Sequence, residues 1–228
     1  IRIMNDLLNK IAENFRHFPG IGPRQAKRFV YYFLHRGAGE IDALIKNLEQ
    51  LKKSVARCGD CQRYFPLNSF QPANLCANCQ ETMRDKSTLL VVEKDVDLEN
   101  VERSGTYHGR YFILGGLVPI LEKNPFEKIN WNELVALINR LQKNYTTSQT
   151  SGGNSSQDNQ LKEIIVALTA SVEGDHTAEA LERELHKVTN FKDLKISILG
   201  RGLSTGTELE YSDSSTLKNA LANRRSLN

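Results

Sequence analysis

Every cysteine of the 228-residue chain falls between Arg57 and Gln80, in RCGDCQRYFPLNSFQPANLCANCQ. Cys58 and Cys61 form one C-x2-C pair, Cys76 and Cys79 form a second, and fourteen residues separate the pairs. A C-x2-C turn can aim two sulfurs at one ion, and two such turns complete the tetrahedral thiolate shell that zinc prefers. The intervening loop can close, because closure entropy grows only logarithmically with length. Four thiolates leave no open position for water, so such a site is structural and not catalytic. The competing readings are two disulfides or one redox-active C-x2-C. The N-terminus does not read as a signal peptide, and four cysteines are few for a disulfide scaffold of this length, so the expectation is one structural zinc per chain.

Charge divides the chain at that cluster. Residues 1–57 carry eleven Lys/Arg against five Asp/Glu, a net of +6, whereas residues 87–228 carry sixteen against nineteen, a net of −3. A basic end points to nucleic acid. No apolar run approaches the roughly 18 residues that span a membrane, so no membrane partner is expected, and reduced cysteines point to a cytoplasmic, nucleoid-associated protein.

Apolar residues at Ile3, Leu7, Leu8, Ile11 and Phe15 follow a helical period. Phe18-Pro19-Gly20-Ile21-Gly22-Pro23 interrupts it, and a second helix from Pro23 to about Leu34 is expected to bury Ala26, Phe29, Val30 and Phe33. Helix, P-G-I-G turn, helix resembles a helix-hairpin-helix DNA-binding module. Gly20 and Gly22 would let backbone approach a phosphate, the open N–H groups of the second helix would bind it, and Arg24, Lys27 and Arg28 would add charge. Such a contact ignores base identity. An ordinary αα-hairpin with a solvated basic face is the alternative, against which the +6 balance weighs. A third helix is expected over Ile41–Val55.

Beyond the cysteines the pattern becomes short apolar strands, Thr88–Glu93, Tyr111–Leu114, Glu163–Leu168 and Leu194–Leu199. Helical stretches near Asp95–Arg103, Asn130–Gln142 and Thr177–Val188 alternate with them, which implies a parallel sheet covered on both faces. Sites in such sheets lie beyond the carboxyl ends of the strands. Glu93 ends the first strand there, and Glu173 and Asp175 lie in the turn after the third. Converging carboxylates can hold a divalent metal such as magnesium. A solvated turn opening a helix explains Glu173 and Asp175 almost as well. His17, His35, His108, His176 and His186 show no ligand spacing, and no phosphate-loop motif is present.

FPGIGPRQAKRF, the four cysteines, LLVVEKDVDLENVERSGTYHGRYFILGG, SVEGDHTAEAL and GTELEYSDSSTLKNALANR, in that order, resemble the RecR family of bacterial recombination mediators. The resemblance covers nearly the whole chain. It implies an α+β multidomain protein: a helix-hairpin-helix domain over 1–57, a four-cysteine zinc finger over 58–86, an α/β Toprim domain with a parallel sheet over 87–199, and a C-terminal ring-closing segment over 200–228. It implies binding of double- and single-stranded DNA, with RecO or RecF as partners, in a homo-oligomeric ring of two or four chains that helps RecA replace single-strand-binding protein. Arg24 and Arg28 take the positions of the family's DNA-contacting basic residues, and Glu93, Glu173 and Asp175 those of its Toprim acids, which would dock basic partners rather than catalyse. A metal-dependent Toprim nuclease is the alternative function.

Several segments depart from the family's usual pattern. The loop between the cysteine pairs is longer, Leu168-Thr169-Ala170-Ser171 replaces T-N-P-T, and Leu117-Val118-Pro119-Ile120 replaces an S-P-containing segment. Residues 144–160, NYTTSQTSGGNSSQDNQ, form a polar insertion expected to be a mobile loop, since it has only Tyr145 to bury.

Overall fold

The computed structural model describes residues 2–67, 74–150, 160–188, 194–200, 202–203, 206 and 208–223. It comprises two compact units, Ile1–Val55 and Ala56–Asn228.

The first unit holds α1 (Arg2–Arg16), α2 (Pro23–Arg36) and α3 (Ala38–Ser54). Pro23 opens α2 at a position where a missing N–H is no loss. Ala12, Ala26 and Val30 form the buried centre, with Leu8, Ile11, Phe15 and Ile21 packed around them. Phe29 is 39% exposed and Phe33 only partly buried, so α2 buries less than its periodicity suggests. Both rings instead pack beside Phe15, at centroid separations of 5.6 and 6.0 Å. α3 has no buried residue, and Leu44, Ile45, Leu48 and Leu51 are all exposed along it.

β1 (Val55–Arg57) spans the boundary between the units and pairs with β2 (Tyr64–Pro66) in a two-stranded ribbon, which the short α4 (Ala77–Gln80) follows. A four-stranded sheet follows, built from β3 (Asp85–Val92), β4 (Gly109–Ile113), β5 (Glu163–Ala167) and β6 (Lys195–Ile198). Its order is β4-β3-β5-β6, and every pairing is parallel. Leu89 to Val92 are all buried, as a central strand covered on both faces requires. Leu90, Val92, Tyr111 and Ile113 meet Leu98 and Val101 of α5 (Asp95–Ser104) on one face. Leu89, Val91, Phe112, Ile164 and Val166 meet Leu134, Leu137 and Ile138 of α6 (Trp131–Thr150) and Leu181 and Leu185 of α7 (Val172–Val188) on the other.

Several boundaries differ from expectation: β3 is Asp85–Val92 and not Thr88–Glu93, and α3 is Ala38–Ser54 and not Ile41–Val55. α6 continues to Thr150, so the first seven residues of the 144–160 insertion are helical rather than loop, and residues 151–159 lie outside the described residues. α7 starts at Val172, not Thr177, because Ser171 caps it: the Ser171 hydroxyl accepts from the Gly174 N–H at 3.1 Å. Near the C-terminus, Asp213 accepts from the Thr216 N–H at 3.0 Å and so opens α8 (Ser214–Ala222).

Candidate functional site

The four cysteines come together. Their sulfurs all lie within 4.8 Å of one another, and Cys58, Cys61 and Cys76 are buried while Cys79 is partly so. The first turn is closed by the Cys58 N–H on the Arg63 carbonyl at 2.8 Å, with Gln62 held at φ 64°. In the second, Cys76 precedes α4 and accepts the Cys79 N–H on its carbonyl at 3.1 Å. The Cys76 N–H also donates to the Cys58 sulfur at 3.4 Å, which ties the two turns together. The Cys61 and Cys76 sulfurs are 3.5 Å apart. A disulfide needs about 2.05 Å, whereas two vertices of a zinc tetrahedron with ~2.3 Å bonds are separated by about 3.8 Å. Hydrogen bonds from Cys61, Cys76 and Cys79 push the Cys58 thiol down, and the Cys58, Cys61 and Cys76 sulfurs push Cys79 up. Thiols this close cannot all ionise by themselves, and a divalent cation is what would let them. The cluster therefore fits a metal ion of zinc's preferences.

The cluster does not stand apart from the sheet. The Cys61 carbonyl accepts the N–H of Ile113 at 2.8 Å, so the first cysteine turn covers part of edge strand β4. Around it, the Tyr64 N–H donates to Asp95 at 2.9 Å, Arg140 pairs with Asp60 at 2.5 Å and Arg63 with Glu99 at 3.4 Å. Arg84 reaches Glu81, Glu102 and the Gly109 carbonyl. A Cβ at Gly109 would lie 2.2 Å from the Thr88 hydroxyl and 2.3 Å from that of Tyr107, so those side chains would have to move to admit one.

At the carboxyl ends of the strands the acids are separated by role. Glu93 is 4% exposed and is bonded by the Thr169 hydroxyl and by Lys94, the latter at 2.6 Å. Burial alone would raise its carboxyl, but the Lys94 and Thr169 hydrogen bonds outweigh it and hold it below the ordinary value. Glu173 and Asp175 are exposed in the first turn of α7, where the helix dipole favours them. The only group of three or more ligand-type side chains close enough to share an ion, among the described residues, is the cysteine set, so the three acids do not converge as expected.

A carboxyl held low in the folded state stabilises above its unfolded pKa, and that contribution disappears as pH falls through the folded pKa. The stability gap between wild type and Glu93→Gln, measured by urea unfolding, is thus expected to be full at neutral pH and to close below the usual carboxylate range. A gap that widens on acidification would contradict this. Gly174 yields a second expectation, because a Cβ there would lie 1.9 Å from the Thr169 carbonyl oxygen. Gly174→Ala should destabilise by about 1–3 kcal/mol, while Gly39→Ala, which meets nothing within 4 Å, should not destabilise.

In the hairpin, Gly20 has φ +76° and needs glycine, whereas Gly22 is extended and does not. A Cβ at either would meet nothing within 4 Å, so the turn is open on that side. α2 has no side-chain cap, which leaves its first N–H groups available, and Arg24, Lys27 and Arg28 are exposed beside them.

The sequence has known relatives. The Toprim domain family model matches residues 87–199 and the model described as RecR, C-terminal matches 202–225. "Recombination protein RecR" of Bifidobacterium adolescentis is 32% identical over 96% of both chains. The protein of that name from Cyanothece sp. is also 32% identical, over 96% of both, and that from Legionella pneumophila is 31% identical over 98% of both. The chain belongs to the RecR family. Within this RecR-family chain the Toprim match runs from β3 past the end of β6, and the C-terminal match takes in α8. The hairpin and the cysteines lie outside both models. The RecR-family sheet accounts for the run LLVVE, while the tie between Cys61 and Ile113 and the capture of Glu93 by Thr169 depend on contacts between distant residues.

Proposed function

We propose that the chain is a DNA-binding recombination mediator in recombinational DNA repair, acting without catalysis and holding one structural zinc at Cys58, Cys61, Cys76 and Cys79. The observation that carries this reading is similarity to proteins named for recombination along almost their entire length. DNA is bound through backbone charge at Gly20, Gly22, Arg24, Lys27 and Arg28, on single or double strands. The exposed stripe of Leu44, Ile45, Leu48 and Leu51 on α3 supports assembly with further copies, since an apolar face of this kind needs a cover. Assembly is as a ring. Among the described residues no helix is long and apolar enough to cross a membrane.

Glu173 and Asp175 dock a basic partner, RecO or RecF, at the carboxyl edge of the sheet. Changing both to Lys should abolish partner binding in a pull-down and leave DNA binding intact or stronger, because removing negative charge cannot weaken attraction to phosphate. Loss of DNA binding with partner binding retained would refute the assignment. A magnesium-dependent nuclease is the less favoured reading, since Glu93 is already committed to Lys94 and Thr169.

A further inference from the structure

A cleft of about 270 Å³ is lined by Leu8 and Asn9 of α1 and by Lys27, Val30 and Tyr31 of α2. It is far larger than a single water needs and just short of the roughly 300–1,000 Å³ of pockets that enclose drug-sized molecules, a size for one flat ring system. The other aromatic side chains of α2 are taken. Phe29 and Phe33 pack beside Phe15, and Tyr32 meets Phe33 edge-on at 5.6 Å while Arg36 stands 5.1 Å over the Tyr32 ring. Tyr31 is 53% exposed and, among the described residues, has neither a ring nor a cation against it. Nor do the side chains of Asn9, Lys27 and Tyr31 have a hydrogen-bond or ion-pair partner among them. Lys27 and Tyr31 are four residues apart and so are neighbours on one helix face, with Arg24 one turn before Lys27.

An open aromatic face beside a cation fits an unpaired base. Every base has a π-face, and proteins that hold single strands combine a basic track for the backbone with aromatic platforms for the bases. The +6 balance of residues 1–57 supplies the charge complementarity. We propose that the Tyr31 cleft holds one unstacked base of a DNA single strand whose phosphate sits on Lys27. Leu8 and Val30 give the cleft its apolar walls, and the Asn9 amide, both donor and acceptor, meets the base edge without selecting one base. Duplex bases are paired and stacked inside, so none can enter. The cleft therefore gives α2 a preference for single strands that phosphate contacts alone do not supply. This inference rests on the DNA-binding reading above and adds which form of DNA the hairpin domain favours.

Fluorescence anisotropy of the full chain tests it with three labelled probes: an oligo-dT, a strand of the same length made of abasic sites, and a duplex. Wild type should bind oligo-dT about tenfold more tightly than the abasic strand. Tyr31→Ala should lose that tenfold on oligo-dT and bind the abasic strand and the duplex as wild type does, while Tyr31→Phe, which keeps the ring, should match wild type on all three. Equal affinity of wild type for the two single strands, or an oligo-dT affinity unchanged by Tyr31→Ala, would overturn the base site and leave the phosphate contacts in place. So would a loss that falls equally on all three probes, or a Tyr31→Ala protein of lower native mass, since Tyr31 would then be covering a second copy. Wild type that binds none of the probes would overturn the DNA-binding reading and this site with it. The comparison of oligo-dT with the abasic strand uses wild type alone, so it stands even where a variant fails to fold.

Discussion

Replacing Cys76 with serine is expected to release the metal and to loosen the edge of the sheet with it. Among the described residues the buried apolar ones of the cysteine module are Cys58, Cys61, Cys76 and Phe65, so three of its four core side chains are themselves ligands. Its regular structure among the described residues amounts to two three-residue strands and one turn of helix. A module this small has too little apolar core to hold itself, and zinc contributes about 10–16 kcal/mol of apparent binding free energy in small zinc modules. Only part of that would appear as lost stability here, since Arg63, Arg84 and Asp60 also fasten the module to the helices around it. A loss of even about 3 kcal/mol lowers Tm by about 6–12 °C for a unit of this size. Zinc content should fall from one per chain to well below it, and protease should cut between the cysteine pairs. Full zinc occupancy with unchanged Tm would contradict the assignment.

Changing Arg24 and Arg28 to Glu is expected to remove DNA binding. The pair lies four residues apart at the start of α2, on one face and beside a helix end with no side-chain cap. Each substitution reverses a charge, so the net of residues 1–57 falls from +6 to +2. One hairpin offers only two or three phosphate contacts, each opposed by counterions at physiological salt. A single chain should therefore bind weakly, and several hairpins held in one ring could gain roughly a hundredfold in avidity. The variant should lose that affinity equally on two unrelated sequences, with a shallower dependence on salt and with the assembly and zinc intact. An unchanged salt slope, or a loss confined to one sequence, would make the hairpin a scaffold and put the DNA site elsewhere.

Which parts of this molecule can be read from its residues follows from the range of the forces involved. The cysteine cluster is legible because ligand spacing is local chemistry, and the strands are legible because a run such as Leu89–Val92 has few alternatives to a doubly covered sheet. The start of α7 is not, because its first turn is capped by Ser171 and carries Glu173, Gly174 and Asp175, which leave no apolar period. Phe29 reads as core by spacing yet is exposed, since periodicity tells which face a residue is on and not whether anything covers it. The commitment of Glu93 to Thr169 joins residues 76 positions apart, beyond any local pattern, whereas the need for glycine at 174 comes from the Thr169 carbonyl in the turn just before it and shows only once that turn is folded.

The claim of a mediator that remodels DNA–protein complexes without cutting DNA is tested most directly by the rate at which RecA assembles on single-stranded DNA precoated with single-strand-binding protein, in magnesium, with RecO present. The account predicts faster assembly when this chain is added, loss of the effect with Arg24→Glu and Arg28→Glu, and DNA recovered at full length. Shortened DNA, or an assembly rate unchanged by the protein, would contradict it.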